Sequence, residues 1–181
     1  MPALSDKKGF TLIELVVALG IISAVFGVII SSASAIQRSG RNTQRQADLQ
    51  SIQGALERYF ADQHFYPCSP SVDCPPAAKP LVLTSSADIT NETGNPNSAS
   101  SQKFYLTTIP ADPLLSTTRP YCYSAAASSA DSVCDNSASS ANNCGYYVLT
   151  AQLEDNSLSD SFSCGGQNYN YALNPYGIIR P

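Results

Sequence analysis

Charge is scarce in this sequence. Acids and bases make up 13% of its 181 residues, about half the usual share of a soluble domain. Hydration must come instead from Ser, Asn, Thr and Gln. Between Glu14 and Arg38 there is no charge at all. Histidine occurs once, as His64, and no C-x-x-C pair exists. His64 has no Ser, Cys or Asp partner at a recognisable spacing, which disfavours a catalytic base. A helix-end histidine facing water or packing on Tyr66 is expected instead. No proline stands between Pro2 and Pro67, and no cysteine precedes Cys68. The first absence leaves a long helix unbroken. The second confines any cross-link to the later chain.

The charge that exists is uneven. Residues 10–63 hold four acids and four bases, whereas residues 64–181 hold nine acids and four bases, a net −5. No basic stripe with interleaved aromatics appears in the acidic part, so a nucleic-acid partner is not expected. All six cysteines (Cys68, Cys74, Cys122, Cys134, Cys144 and Cys164) fall there. An even number behind an apolar segment reads as up to three disulfides in an oxidising compartment, in preference to a metal site. Six cysteines allow 15 connectivities. Cys68 with Cys74 and Cys134 with Cys144 are the pairs of shortest separation.

What is abundant is a single apolar run. Residues 15–36 are 22 positions without a charge, enough helix to cross a hydrocarbon core of about 30 Å. Lys7 and Lys8 before it keep that end cytoplasmic. Arg38, Arg41 and Arg45 follow on the other side and weaken the bias, while the cysteines again favour an outside location for the rest. A cleaved secretory signal would use Lys7 and Lys8 as its basic region and Ala33-Ser34-Ala35 as its cleavage site, but the run exceeds the usual 7–15 residues. A plain membrane anchor accounts for the length and leaves Glu14 without a role.

The stretch Gly9-Phe10-Thr11-Leu12-Ile13-Glu14, after a short basic leader and before a charge-free span, resembles the class III signal of type IV pilins and type II secretion pseudopilins. The likeness covers about the first third of the chain. It implies cleavage between Gly9 and Phe10 by a prepilin peptidase, N-methylation of Phe10, and an inner-membrane precursor with its N-terminus inside and its head outside. It also implies assembly into a periplasmic or extracellular filament by an inner-membrane platform, with membrane lipid as the partner before assembly. In that family the acid matching Glu14 meets the N-terminal amine of a neighbouring subunit. The physics agrees. A charge at membrane depth costs on the order of 3 kcal/mol, so Glu14 gains when a partner amine arrives. The chain departs from many relatives in lacking a proline in the apolar helix. Gly20 and Gly27 are its weak points, about 1 kcal/mol each against Ala, and any melting on assembly is expected to centre near Gly27.

Beyond the run the helical period persists. Leu49, Ile52, Leu56, Tyr59 and Phe60 form a stripe, with Arg45, Asp48, Glu57, Arg58 and Asp62 mainly off it. A helix is expected over 11–62, with a soft point at Gly40, ended by Pro67 acting on Tyr66. The expected organisation is a leader (1–9), a transmembrane and assembly helix (10–36), a helix extension packed on the head (37–63) and a disulfide-bonded extracytoplasmic head (64–181). The fold class is α+β, a type IV pilin fold with the helix's second half on a small antiparallel sheet.

In the head, residues 68–102 read as a connecting loop, with 80–83 as a short ordered piece. The segment 104–113, ending Pro110-Ala111-Asp112-Pro113, resembles the turn that precedes the sheet in pseudopilins. Strands are expected over 120–124, 145–154 and 169–173, with a turn at 174–177. Tyr147, Leu149, Ala151 and Leu153 should face the helix. Residues 125–143 form a long Ser/Ala/Asn loop that Cys134 and Cys144 could pin. Glu154, Asp155 and Asp160 are weak calcium candidates by oxygen chemistry alone; solvated turn residues are the preferred reading. Asn91-Glu92-Thr93 fits a glycosylation sequon.

These features point to a structural filament subunit without a cofactor. Alternatives are a minor pilin acting as an adhesin or binding module, and a pseudopilin of a type II secretion system. A membrane-anchored enzyme lacks a nucleophile or metal motif.

Overall fold

The structure is a computed structural model that describes residues 9–70, 81–83, 87–93, 95, 102–114, 119–129, 133–136, 142–154 and 159–179, with the side chains of 28–32 outside this set. The chain divides into two units, Met1–Gly40 and Arg41–Pro181. One helix, α1 (Leu12–Gln63), runs through both. Its bounds lie within a residue of the expected ones, because nothing between Pro2 and Pro67 breaks the hydrogen-bond ladder.

The helix stops before Pro67 can act. His64 takes a left-handed conformation at φ 64°, and its N–H donates to the Phe60 carbonyl at 2.8 Å. This is the αL cap that glycine usually supplies.

In the second unit the helix buries Leu49, Ile52, Ala55, Leu56 and Tyr59 completely, while Phe60 is only partly covered. Arg45 departs from expectation. It lies on the same stripe and is fully buried.

Against this stripe stands an antiparallel sheet of β3 (Cys122–Ala126), β4 (Tyr146–Ala151), β7 (Tyr171–Asn174) and β8 (Gly177–Ile179), in that order. Tyr123, Leu149, Leu173 and Ile178 align across it. Tyr147, Leu149, Ala151 and Leu153 are buried, as their alternation requires. On the opposite side Thr150 and Ala172 are also buried, so the centre of the sheet is covered on both faces.

Two small hairpins and one strand were not in the sequence expectation. The first hairpin pairs β1 (Ile89–Thr90) with β2 (Phe104–Leu106), where a connecting loop and a turn were expected. The second pairs β5 (Phe162–Cys164) with β6 (Gln167–Tyr169). Its turn is Gly165-Gly166, both at positive φ, the two-residue connection that matches strand twist. The expected last strand therefore splits. Tyr169 belongs to β6, and Asn170 interrupts the ladder by accepting from Leu153 N–H (2.7 Å) and donating to Leu153 O (2.9 Å). The expected turn at 174–177 is real, but the chain continues through it into β8.

The core is rich in tyrosine, and most of the buried rings find a partner for the hydroxyl. Tyr59 donates to Thr93 O, Tyr123 to Pro67 O and Tyr121 to Asp48, each at 2.7 Å. Tyr66 and Tyr147 both donate to the Glu57 carboxylate, at 3.2 and 3.0 Å. Tyr66 also stacks on Phe60 and meets Tyr147 edge-on, each at 4.6 Å between centroids.

Candidate functional site

The N-terminal unit carries the processing and assembly candidates. Gly9 and Phe10 precede α1 and are exposed, Phe10 at 90%. Thr11 is the N-cap. Its hydroxyl accepts from Glu14 N–H at 3.4 Å, and the Glu14 carboxylate accepts from Thr11 N–H at 3.3 Å and from its hydroxyl at 3.2 Å. This is a capping box, which the T-x-x-E spacing could have revealed. The carboxylate also stands at the positive end of the helix dipole, a favourable place for an anion. Among the described residues, Glu14 thus has a local partner and no cation.

Beyond it, the described apolar side chains of this segment stand largely exposed. The large described apolar side chains from Phe10 to Phe26 are all at least 50% exposed. Among the described residues no helix is long and apolar enough to cross a membrane. The described side chains 12–27 are fewer than the roughly 20 needed, and those of 28–32 lie outside the described set. Gly20 and Gly27 are helical, with no atom within 4 Å of an added Cβ.

The second unit holds its helix by charge as well as by packing. Arg45 donates through Nε to Asp112 at 2.6 Å and through Nη2 to the other Asp112 oxygen at 3.2 Å. Its Nη1 reaches Glu154 at 2.8 Å and Asn42 Oδ1 at 3.0 Å. Arg41 grips Glu154 with two bonds of 2.7 and 2.5 Å. The Arg41 hydrogen bonds, helped by Arg45, hold the Glu154 carboxyl down to about 2. Asp48 moves the other way, raised by burial. Asp112 sits in the Pro110-Ala111-Asp112-Pro113 segment, and Leu114 N–H donates back to it at 2.9 Å.

This arrangement places the weak calcium candidates. Glu154 is neither a solvated turn residue nor a free ligand, since both arginines occupy it. Asp160 pairs with Arg119 at 3.2 Å and accepts from Gln152 at 3.1 Å. Asp155 lies outside the described residues. Among the described residues no group of three acids, histidines or cysteines could hold a metal ion.

Cys134 bonds Cys144, one of the two short-separation pairs. Cys122 bonds Cys164, joining β3 to β5. Cys68 is disulfide-bonded, and the expected pairing with Cys74 involves a residue outside the described set. His64 is exposed and forms the left-handed cap of α1. Asn91 of the sequon is buried, and its Oδ1 accepts from Lys103 N–H at 2.8 Å; a glycan there would have to displace that contact.

Comparison with known proteins returns one finding, confined to the N-terminal unit. No curated protein and no solved structure matches the chain. Residues 4–30 match the prokaryotic N-terminal methylation motif. That window contains Gly9, Phe10, the Thr11–Glu14 box and the exposed apolar turns after them, and it makes this chain the bearer of a class III signal, typical of type IV pilins and pseudopilins.

Proposed function

We propose that this chain is a structural subunit of a type IV pilus or related filament, cut between Gly9 and Phe10 and polymerised through its apolar helix. The observation that supports it most is the coincidence of the methylation motif with a helical segment whose described apolar side chains are at least half exposed. Such a surface needs either lipid or other copies of itself. Lipid serves the precursor and copies serve the filament. A prepilin peptidase makes the cut and methylates Phe10, and an inner-membrane platform adds the subunit.

Glu14 gives addition its direction. Its capping bonds are local and exposed, worth about 1 kcal/mol. A carboxylate carried into an apolar environment gains more from a cation than from a hydroxyl. The new amine on Phe10 of a neighbouring subunit supplies that cation. The role is structural rather than enzymatic.

Mass spectrometry of sheared filaments tests this. The expected mature subunit begins at N-methylated Phe10. A subunit beginning at Ile36 would restore an ordinary secretory signal and remove the proposal.

A further inference from the structure

Two disulfides of the head sit in opposite surroundings. Cys134 and Cys144 are both fully buried. The segment they close folds onto the chain just after the helix. Tyr66 N–H donates to Cys144 O at 2.7 Å, and Asn136 Nδ2 donates to Tyr66 O at 2.8 Å. Cys144 N–H in turn donates to Asn136 Oδ1 at 2.8 Å. Asn136 reaches this position from a left-handed backbone, φ 50°, which asparagine tolerates better than most residues. Both backbone groups of buried Tyr66 are thus satisfied by the disulfide-closed segment.

Cys122–Cys164 is different. Cys122 is partly exposed. Both cysteines line a cavity of about 460 Å³, walled also by Leu81, Leu83, Tyr121 and Tyr169. The next residue, Gly165, lacks the Cβ that would lie 3.5 Å from Cys122 Sγ. No side chain of Gly165 therefore stands between that sulfur and the turn. Exchange requires a thiolate to reach a sulfur, and of these two bonds Cys122–Cys164 is the one that borders the cavity.

We propose that the two disulfides form a redox hierarchy. Cys134–Cys144 is the permanent lock on the helix exit. Cys122–Cys164 is the exchangeable bond, opened and closed by small thiols through the cavity. In opening, a thiolate attacks one Sγ, the S–S bond breaks, and the other Sγ leaves as a thiolate and takes a proton. A second thiol resolves the mixed disulfide and frees the first cysteine. The head gains two electrons and two protons, and the two reagent thiols leave as one disulfide. Opening releases β5 from β3 at the sulfur while the Tyr169 hydroxyl still donates to Pro120 O at 2.9 Å.

The test uses the full chain in detergent micelles, treated with dithiothreitol, quenched by alkylation and cleaved at Asp and Glu, which separates the four cysteines. Cys122 and Cys164 should be labelled at least about tenfold faster than Cys134 and Cys144, as access governs exchange. Equal rates, or earlier labelling of Cys134 and Cys144, overturn the hierarchy. Hydrogen exchange then tests the lock. The C122S/C164S variant should keep slow exchange at the Tyr66 amide, and C134S/C144S should lose it. Loss in both variants overturns the lock. If C134S/C144S does not fold, retention in C122S/C164S and the labelling order in the unaltered chain decide.

Discussion

One helix meets two fates in this molecule. In the first unit its described leucines, isoleucines and phenylalanines stand at least 50% exposed, while in the second Leu49, Ile52, Leu56 and Tyr59 are fully buried. The charges contrast as well. Glu14 is exposed and held by a neighbouring threonine. Asp112, Glu154 and Arg45 form a network across the head, with Arg45 and Asp112 fully covered at their side chains. The described core of the head is covered within one chain. The N-terminal unit leaves its described apolar side chains, and the acid in its capping box, facing outward.

The sharpest way to break that contrast is to open the head's network. Arg45→Ala leaves Asp112 buried without its cation, and should cost about 3–5 kcal/mol. Urea unfolding of the head should show it as a lower midpoint. Arg45→Met, which refills volume without charge, should unfold nearly as easily, because the buried Asp112 carboxylate loses the same ion pair.

Acid should act more gently on the same network. The folded Glu154 carboxyl lies at about 2, below its ordinary 4.5. The unfolded chain therefore binds more protons in this window, and stability falls with pH. The contribution is complete above about pH 4.5 and is lost as pH drops through about 2. Allowing for partial exposure, it is on the order of 2 kcal/mol. Asp48, raised by burial, works in the opposite sense over its own titration. Thermal unfolding from pH 6 to 2 should fall steeply in the native chain and more shallowly in Glu154→Gln.

The smallest effect is expected at the helix end. His64→Gly relieves a left-handed backbone at a non-glycine residue and should stabilise the head by about 0.5–1 kcal/mol. A lower melting temperature would show that the imidazole contributes more than the backbone loses.

The helix and the clear strand were legible because both are written in local periodicity. The Thr11-x-x-Glu14 box and the Gly165-Gly166 turn carried equally local signals, and either could have been read from the residues alone. Arg45 could not. A lone arginine on a polar stretch looks like surface, and its partners lie 67 and 109 positions away. Glu154 was misread for the same reason: its neighbours in sequence suggest a solvated turn, whereas its neighbours in space are two guanidiniums. The strand β8 was missed because three residues after a Pro-Tyr-Gly turn are too short to show alternation.

The contrast between the units rests finally on Glu14, and one substitution separates its two roles. Gln fits the capping box as Glu does but carries no charge. Strains carrying only Glu14→Gln should contain processed, membrane-held subunits with Phe10 at their N-terminus and no sheared filaments, and Glu14→Val should behave the same way. Filaments in normal amount from Glu14→Gln would mean that the cap, and not the charge, is what assembly requires, contradicting the pairing of Glu14 with a neighbour's amine.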